Sequence, residues 1–287
     1  MRHKSFVVFI LSHGRASNVK TLKTLKRAGY TGKVLIVIDS EDPLEDDYKR
    51  IYGKSSVVVF DKSKASGLFD IMDNYDDSRG VVYARNVCFD VAEQTGYEYF
   101  LELDDDYTLF EYRTRENGKL KSQRVENIDS LFDAMLDFLD VSGAYTVAFA
   151  QGGDLIGGTE NGNYNKKLLR KAMNSFFCRT DRRFTFDGRI NEDTVMYCKM
   201  GIQGKLVFTY TDVDLVQTQT QKQKGGLTEQ YLDVGTYVKS FYTVMCCPSC
   251  VTIGMMGGSK KGMRLHHMIS WNHCCPKIIS EKYKKQN

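Results

Sequence analysis

Apolar and polar positions fall in blocks along the first hundred residues. Phe6–Leu11 is an unbroken apolar run of β-formers that ends in the polar turn Ser12-His13-Gly14-Arg15. From Asn18 to Ala28, Val19, Leu22 and Leu25 recur among lysines at helical spacing, and Gly29 closes the segment. A second run, Lys33 to Ile38, ends at Asp39-Ser40-Glu41-Asp42-Pro43, and Val57–Phe60 is a third. Residues 79–96 predict a helix with Val82, Val87, Val91 and Ala92 as its apolar stripe. Tyr99–Leu103 is a fourth strand, ending in Asp104-Asp105-Asp106. Strands apolar on both faces and joined by helices predict a parallel, doubly wound α/β sheet.

The second part of the chain is less regular. Ile128–Leu139 predicts an amphipathic helix and Thr146–Ala150 a strand, followed by a Gly/Asn-rich loop over 152–165. A short helix over Thr194–Met200 and a strand over Lys205–Tyr210 precede the polar stretch Gln217 to Gly226, which suggests a mobile loop. Tyr237–Met245 and Val251–Met255 are further strand or helix segments. With no internal repeat and no linker, the chain is expected to form one domain over 1–287.

Composition agrees with an ordinary globular protein: 42% hydrophobic, 26% charged, three prolines. The apolar stretch Phe6–Leu11 is too short to span a membrane and lacks a cleavage site, so a cytoplasmic protein is expected, with its eight cysteines mostly thiols. The net charge of +4 is unevenly placed. Lys166, Lys167, Arg170, Lys171, Arg179, Arg182 and Arg183 face only Asp181 within 166–183; residues 260–287 are similarly basic. Either segment alone is compatible with a solvated face. Together, with Phe176, Phe177, Phe184 and Trp271 nearby, they suggest a polyanionic partner such as DNA.

Ligands of open α/β sheets bind beyond the carboxyl ends of the strands. Three of the four strands end there in functional groups: His13-Gly14-Arg15, Asp39 and the aspartate triplet. Three adjacent carboxylates repel one another unless solvated or neutralised by a cation. Positions i and i+2 can reach one hard metal, Mn²⁺ or Mg²⁺, against a diphosphate. A bare acidic turn is the alternative. Cys247-Pro-Ser-Cys250 with His273-Cys274-Cys275 raises a further option, structural Zn²⁺, although the second half lacks a standard zinc spacing.

The ordered set over residues 5–110 resembles the GT-A glycosyltransferases: strand with basic turn, strand ending in aspartate, helix entry Ala84-Arg85-Asn86, then strand and acidic triplet. The resemblance implies a GT-A (Rossmann-like) fold, a nucleotide-sugar-binding half over 1–110 and an acceptor-binding half over 111–287. It gives Arg15 and Asp39 to the nucleoside, with Arg85 and Asn86 as secondary donor contacts. Asp104 and Asp105 fall to the donor and Asp104 and Asp106 to the metal, and which of the three touches the ion stays open. Glu192-Asp193 within Ile190-Asn191-Glu192-Asp193-Thr194 is a helix start, where capping alone would explain it. By resemblance the pair faces the acceptor, with Asp193 the expected base, Glu192 the alternative, and direct attack inverting the sugar. His267, or His266, is the expected C-terminal metal or diphosphate ligand.

Leu-Glu-Leu-Asp-Asp-Asp-Tyr, Ile-Asn-Glu-Asp-Thr and the C-terminal Cys-Pro-Ser are similar to the TET/JBP-associated glycosyltransferases of phages and kinetoplastids, relatives of the enzyme that makes base J. That likeness implies UDP-glucose or a UDP-pentose as donor. It also implies 5-hydroxymethylcytosine or 5-hydroxymethyluracil in DNA as acceptor, inside an infected host cell if the gene is a phage's. A GT-A enzyme acting on a glycan, lipid or protein would share the donor site, and a non-catalytic nucleic-acid-binding module would not need Asp104 and Asp106.

Overall fold

The computed structural model describes residues 1–74, 78–166, 168–217, 238–258, 262–274 and 281. Four strands expected from the apolar runs form: β1 (Phe6–Leu11), β2 (Lys33–Asp39), β3 (Val57–Phe60) and β4 (Tyr99–Asp104). They alternate with α1 (Lys20–Arg27), α2 (Glu45–Tyr52), α3 (Lys62–Ala65) and α4 (Val82–Gln94). The chain continues through β5 (Tyr107–Glu116), β6 (Lys119–Arg124), α5 (Ile128–Ser142), β7 (Thr146–Ala150) and α6 (Gly162–Asn165). Then come β8 (Leu168–Leu169), β9 (Ser175–Arg179), α7 (Glu192–Ile202), β10 (Val207–Gln217), α8 (Val238–Cys246), β11 (Val251–Gly258), β12 (Gly262–Ile269) and α9 (Trp271–Cys274).

One sheet runs β3-β2-β1-β4-β9-β7-β10-β5-β6, with β8 beside β10. Strands β1, β2, β3, β4, β6, β7 and β10 point one way; β5, β8 and β9 run against them. The mostly parallel α/β arrangement bears out the expected fold class. β11 and β12 form a separate antiparallel hairpin.

Side chains of a strand alternate between its faces. Val7, Phe9 and Leu11 of β1 therefore pack with Val82, Val87 and Val91 of α4, while Phe6, Val8 and Ile10 pack with Leu25 of α1 and Phe132 and Leu136 of α5. Helix α5 is well delimited: the Asn127 side chain accepts from the Ser130 amide at 3.2 Å, and Gly143 ends it in the left-handed conformation at φ 66°.

Several elements depart from the sequence reading. Helix α2 buries only Tyr48, so it shows no apolar stripe. The end of the β5–β6 hairpin is polar and exposed, and its turn is Asn117-Gly118, both at positive φ. Strand β9 lies inside the segment counted as basic, and the region 152–165 carries short 3₁₀ turns and α6 rather than a bare loop. The polar stretch 217–226 lies, beyond Gln217, outside the described residues. The expectation of mostly free thiols holds for five of the seven described cysteines, and Cys250 and Cys274 form a disulfide.

Phe132 is fully buried and its ring meets those of Phe6, Phe110, Phe149 and Phe177. Phe132→Ala is expected to cost about 3–5 kcal/mol in urea denaturation. Val141→Ala, at a 90% exposed position of the same helix, is expected to change stability by less than about 0.5 kcal/mol.

Candidate active site

The aspartate triplet turns sharply from β4 into β5, and its members face different ways. Asp105 is buried, with Oδ2 accepting from Ser12 Oγ at 2.5 Å and Oδ1 from Arg15 Nη1 at 2.8 Å. Its carboxylate thus ties the end of β4 to the turn after β1 and is not presented to a donor, contrary to expectation. Arg15 is held by the same bond, and its backbone amide donates to Tyr48 Oη at 2.9 Å. Asp104 and Asp106, two positions apart, are the partly exposed members. Thr21 of α1 braces the turn from below: its hydroxyl donates to the Asp104 carbonyl at 2.6 Å and accepts from the Tyr107 amide at 3.0 Å. Burial, then the neighbouring charges of Asp104 and Asp105, push the Asp106 carboxyl up to about 6, opposed by a hydrogen bond from Gln217.

Behind the triplet lies Arg85, 1% exposed. Its guanidinium donates to Asp104 at 3.1 Å and Glu192 at 3.0 Å, stands 3.6 Å from Glu102, and covers the Phe176 ring at 4.8 Å. One cation thus serves three carboxylates. Glu102, wholly buried and the most distant, is pushed up to about 8 by burial, against the pull of Arg85. Arg85 was expected to touch the donor; it lies beneath the crevice instead, engaged by carboxylates. Asn86 is engaged too. Its amide donates to the carbonyls of Val82 (2.9 Å) and Phe186 (2.8 Å) and accepts from the Phe186 amide (2.9 Å), which leaves no group for a cofactor.

Glu192 and Asp193 open α7, as expected, and both are buried. Burial, and then Asp193, push Glu192 up to about 7 against Arg85. Asp193 Oδ1 accepts from the Thr194 amide at 2.6 Å and hydroxyl at 3.2 Å. Asn191 precedes them in the left-handed conformation, φ 57°, and its amide donates to the Lys239 carbonyl and Thr243 hydroxyl and meets His267 Nδ1 at 3.4 Å. His267 is thereby brought beside the start of α7, and burial, then His266 and Lys239, lower it to about 4, so it is neutral. His266 stacks on it at 4.3 Å. Asp104, Asp106 and His267 do not, however, bring three ligand atoms within reach of one ion; among the described residues that is true only of Cys198, Cys250 and Cys274.

At the adjoining strand end, Asp39 is 7% exposed, with its oxygens taken by His13 Nδ1 (2.7 Å), the Glu41 amide (3.0 Å) and Lys62 (3.4 Å). Burial works against this carboxylate, but His13 and Lys62 outweigh it and hold it below the usual value. The same hydrogen bond raises His13, whose ring is half exposed. His13 and Thr21 are the contributors that the strand-end pattern did not single out: His13 was visible only as part of a turn, and Thr21 looked like one more polar helix position.

The proposed nucleic-acid features fare less well. Phe176, Phe177 and Phe184 are core residues, not stacking platforms. Arg179 pairs with Asp140 and Asp181, Arg183 with Asp90 and Glu93, and Lys171 with Asp154, while Arg182 donates to the Leu139 and Ala144 carbonyls. Acidic neighbours therefore offset three of the seven cations, Lys171, Arg179 and Arg183, and backbone carbonyls engage Arg182. Lys166 and Arg170 are exposed; Lys167 and most of the C-terminal lysines lie outside the described residues.

The family model of the TET-associated glycosyltransferases matches residues 6–226. The chain belongs to that family. It is therefore a glycosyltransferase, and the matched span runs from β1 through the aspartate triplet and the Glu192-Asp193 helix start. A comparison with curated proteins returns no match. Among solved structures, glucosyl-3-phosphoglycerate synthase from Mycobacterium tuberculosis, in complex with Mg²⁺ and UDP, is 10% identical with a TM-score of 0.47, covering 93% of this chain and 88% of that one. Mannosyl-3-phosphoglycerate synthase from Rubrobacter xylanophilus is 13% identical, TM-score 0.44, covering 92% and 84%. At such scores these overlays add nothing to the family assignment, which rests on the matched span. Among the described residues no helix is long and apolar enough to cross a membrane.

Because the folded-state value of Glu102 lies above the usual 4.5, its contribution to stability is fully present below pH 4.5 and is lost as pH rises through about 8. Glu102→Gln mimics the protonated form. Its melting temperature relative to the unsubstituted protein should therefore rise between pH 5 and about 8; an unchanged difference across that range would remove the proton from Glu102.

Proposed function

We propose that this glycosyltransferase moves a sugar from a UDP-sugar to the hydroxymethyl group of a 5-hydroxymethylpyrimidine in DNA, with inversion. The observation that carries the transfer chemistry is the Arg85 bridge, which joins the donor-side Asp104 to the acceptor-side Glu192 in one buried network. Donor binding is assigned to residues 1–110 and acceptor binding to 111–287.

The partly exposed side chains of the triplet fit a hard cation: two carboxylates at i and i+2, one of them raised to about 6 by burial and then by its acidic neighbours, with the remaining positions left to water and diphosphate oxygens. Mn²⁺ or Mg²⁺ held by Asp104 and Asp106 would offset the charge that develops on the leaving diphosphate. His13, half exposed and hydrogen-bonded to Asp39, is assigned to the nucleotide at the same strand ends, with Asp39 and Arg15 fixing the turn that carries it. Glu192 is clasped by Arg85, which leaves Asp193 as the base. Asp193 takes the hydroxymethyl proton as that oxygen attacks the anomeric carbon, the bond to the diphosphate oxygen breaks, and UDP departs. His267, neutral and beside Asn191, is assigned to the diphosphate once the donor is bound.

The DNA acceptor is supported by the family likeness and by exposed Lys166 and Arg170. Burial of the three phenylalanines instead favours a second reading, in which the acceptor is a glycan, lipid or protein.

The test is incubation with Mn²⁺, UDP-glucose or UDP-pentoses, and DNA containing hydroxymethylcytosine or hydroxymethyluracil, followed by nucleoside mass analysis. A hexose or pentose mass gain is expected. UDP release with a glycan acceptor and none with any DNA would sink the DNA assignment. Asp193→Asn is expected to lower kcat by about 10²–10⁴. Asp104→Asn and Asp106→Asn should each abolish Mn²⁺-dependent turnover at metal concentrations that saturate the unsubstituted enzyme, and unchanged turnover would overturn the metal assignment.

A further inference from the structure

Four cysteines from three segments of the chain meet behind the acceptor helix. Cys198 lies on α7, Cys247 and Cys250 flank the turn from α8 into β11, and Cys274 ends α9. All four are buried. The sulfurs of Cys198, Cys250 and Cys274 lie within 4.8 Å of one another, with Cys274 Sγ 3.8 Å from Cys198 Sγ. Cys247 sits at the other end of the same short turn as Cys250 and is buried with it. The amides of Cys250 and Val251 both donate to the Cys247 carbonyl, at 3.1 and 2.9 Å, so Cys247-Pro-Ser-Cys250 is a tight turn at the cluster.

We propose that Cys198, Cys247, Cys250 and Cys274 form a tetrathiolate zinc site that fastens the helix bearing Glu192 and Asp193 to the hairpin bearing His266 and His267. Thiolates at about 2.3 Å from a tetrahedral ion stand about 3.8 Å apart, the spacing found between Cys198 and Cys274. The C-x₂-C pair supplies one edge of the tetrahedron. Its other half comes from Cys198 and Cys274, separated by 76 residues, so no local spacing marks it. His273 is exposed and is not a ligand, and Cys275 lies outside the described residues.

The Cys250–Cys274 disulfide engages only two of the four sulfurs and is the oxidised, metal-free counterpart of the site. A dithiol reductant supplies two electrons and two protons to open it and becomes its own cyclic disulfide. Zinc then displaces four thiol protons to solvent, and Lys199, next to Cys198 in sequence, offsets part of the resulting negative charge. Soft sulfur ligands in a closed, buried shell select zinc over the hard cation assigned to Asp104 and Asp106.

The test starts from protein purified in a dithiol reductant without chelator. Elemental analysis should find about one zinc per chain, retained in Asp104→Asn and Cys88→Ser and lost in Cys198→Ser and Cys247→Ser. Replacement of the metal by Co²⁺ in the unsubstituted protein should give sulfur-to-metal charge-transfer bands and the intense visible bands of a tetrahedral ion. This readout does not depend on any variant folding. Reduced protein that holds less than about a tenth of an equivalent of zinc after loading, and shows no cobalt bands, overturns the site. Full zinc content in soluble Cys198→Ser overturns the ligand set.

Discussion

A single buried guanidinium organises the acidic strand ends of this molecule. Arg85 enters from α4, Glu102 and Asp104 from β4, and Glu192 from the start of α7, so one cation couples three elements far apart in sequence. Phe176 and Phe186 wall it off from water. In such a setting an unpaired charge is costly, whereas a shared one fixes directions. Burial raises both Glu102 and Glu192 against the pull of Arg85, so the acidic site sits at the rim of an apolar neighbourhood.

The triplet that draws attention in the sequence divides its labour. Asp105 is structural, clamping β4 to the β1 turn through Ser12 and Arg15, while its neighbours Asp104 and Asp106 stay partly exposed. Thr21 holds the backbone of the same turn from the other side. The acidic run is therefore one anchored residue with two presented ones, a pattern that a count of carboxylates would not reveal.

Much of this was legible from residue pattern because the parallel strands are buried on both faces and end abruptly in polar groups. Phe6–Leu11, Val57–Phe60 and Thr146–Ala150 formed with the expected bounds for that reason. The pairing of Glu192 with the triplet was legible only by likeness to other glycosyltransferases; nothing local connects residue 192 to residue 104. Charge placement misled. Arg179, Arg182 and Arg183 looked like a surface for a polyanion because their partners Asp140, Asp90 and the carbonyls of Leu139 and Ala144 come from remote segments. Asn86 misled in the same way: a polar residue at a helix entry can serve a ligand or a backbone, and here Phe186, a hundred residues away, claims it.

Strand β9 sits antiparallel between β4 and β7, although some seventy residues separate it from β4. The strands that carry the aspartates can associate as soon as they leave the ribosome, but their outer edge stays open until Ser175–Arg179 arrives to occupy it. The sheet is therefore completed out of chain order. Arg85 takes the aromatic wall of Phe176 from that same strand, so a truncated chain ending before β9 would lack that wall and expose an adhesive β4 edge to its neighbours.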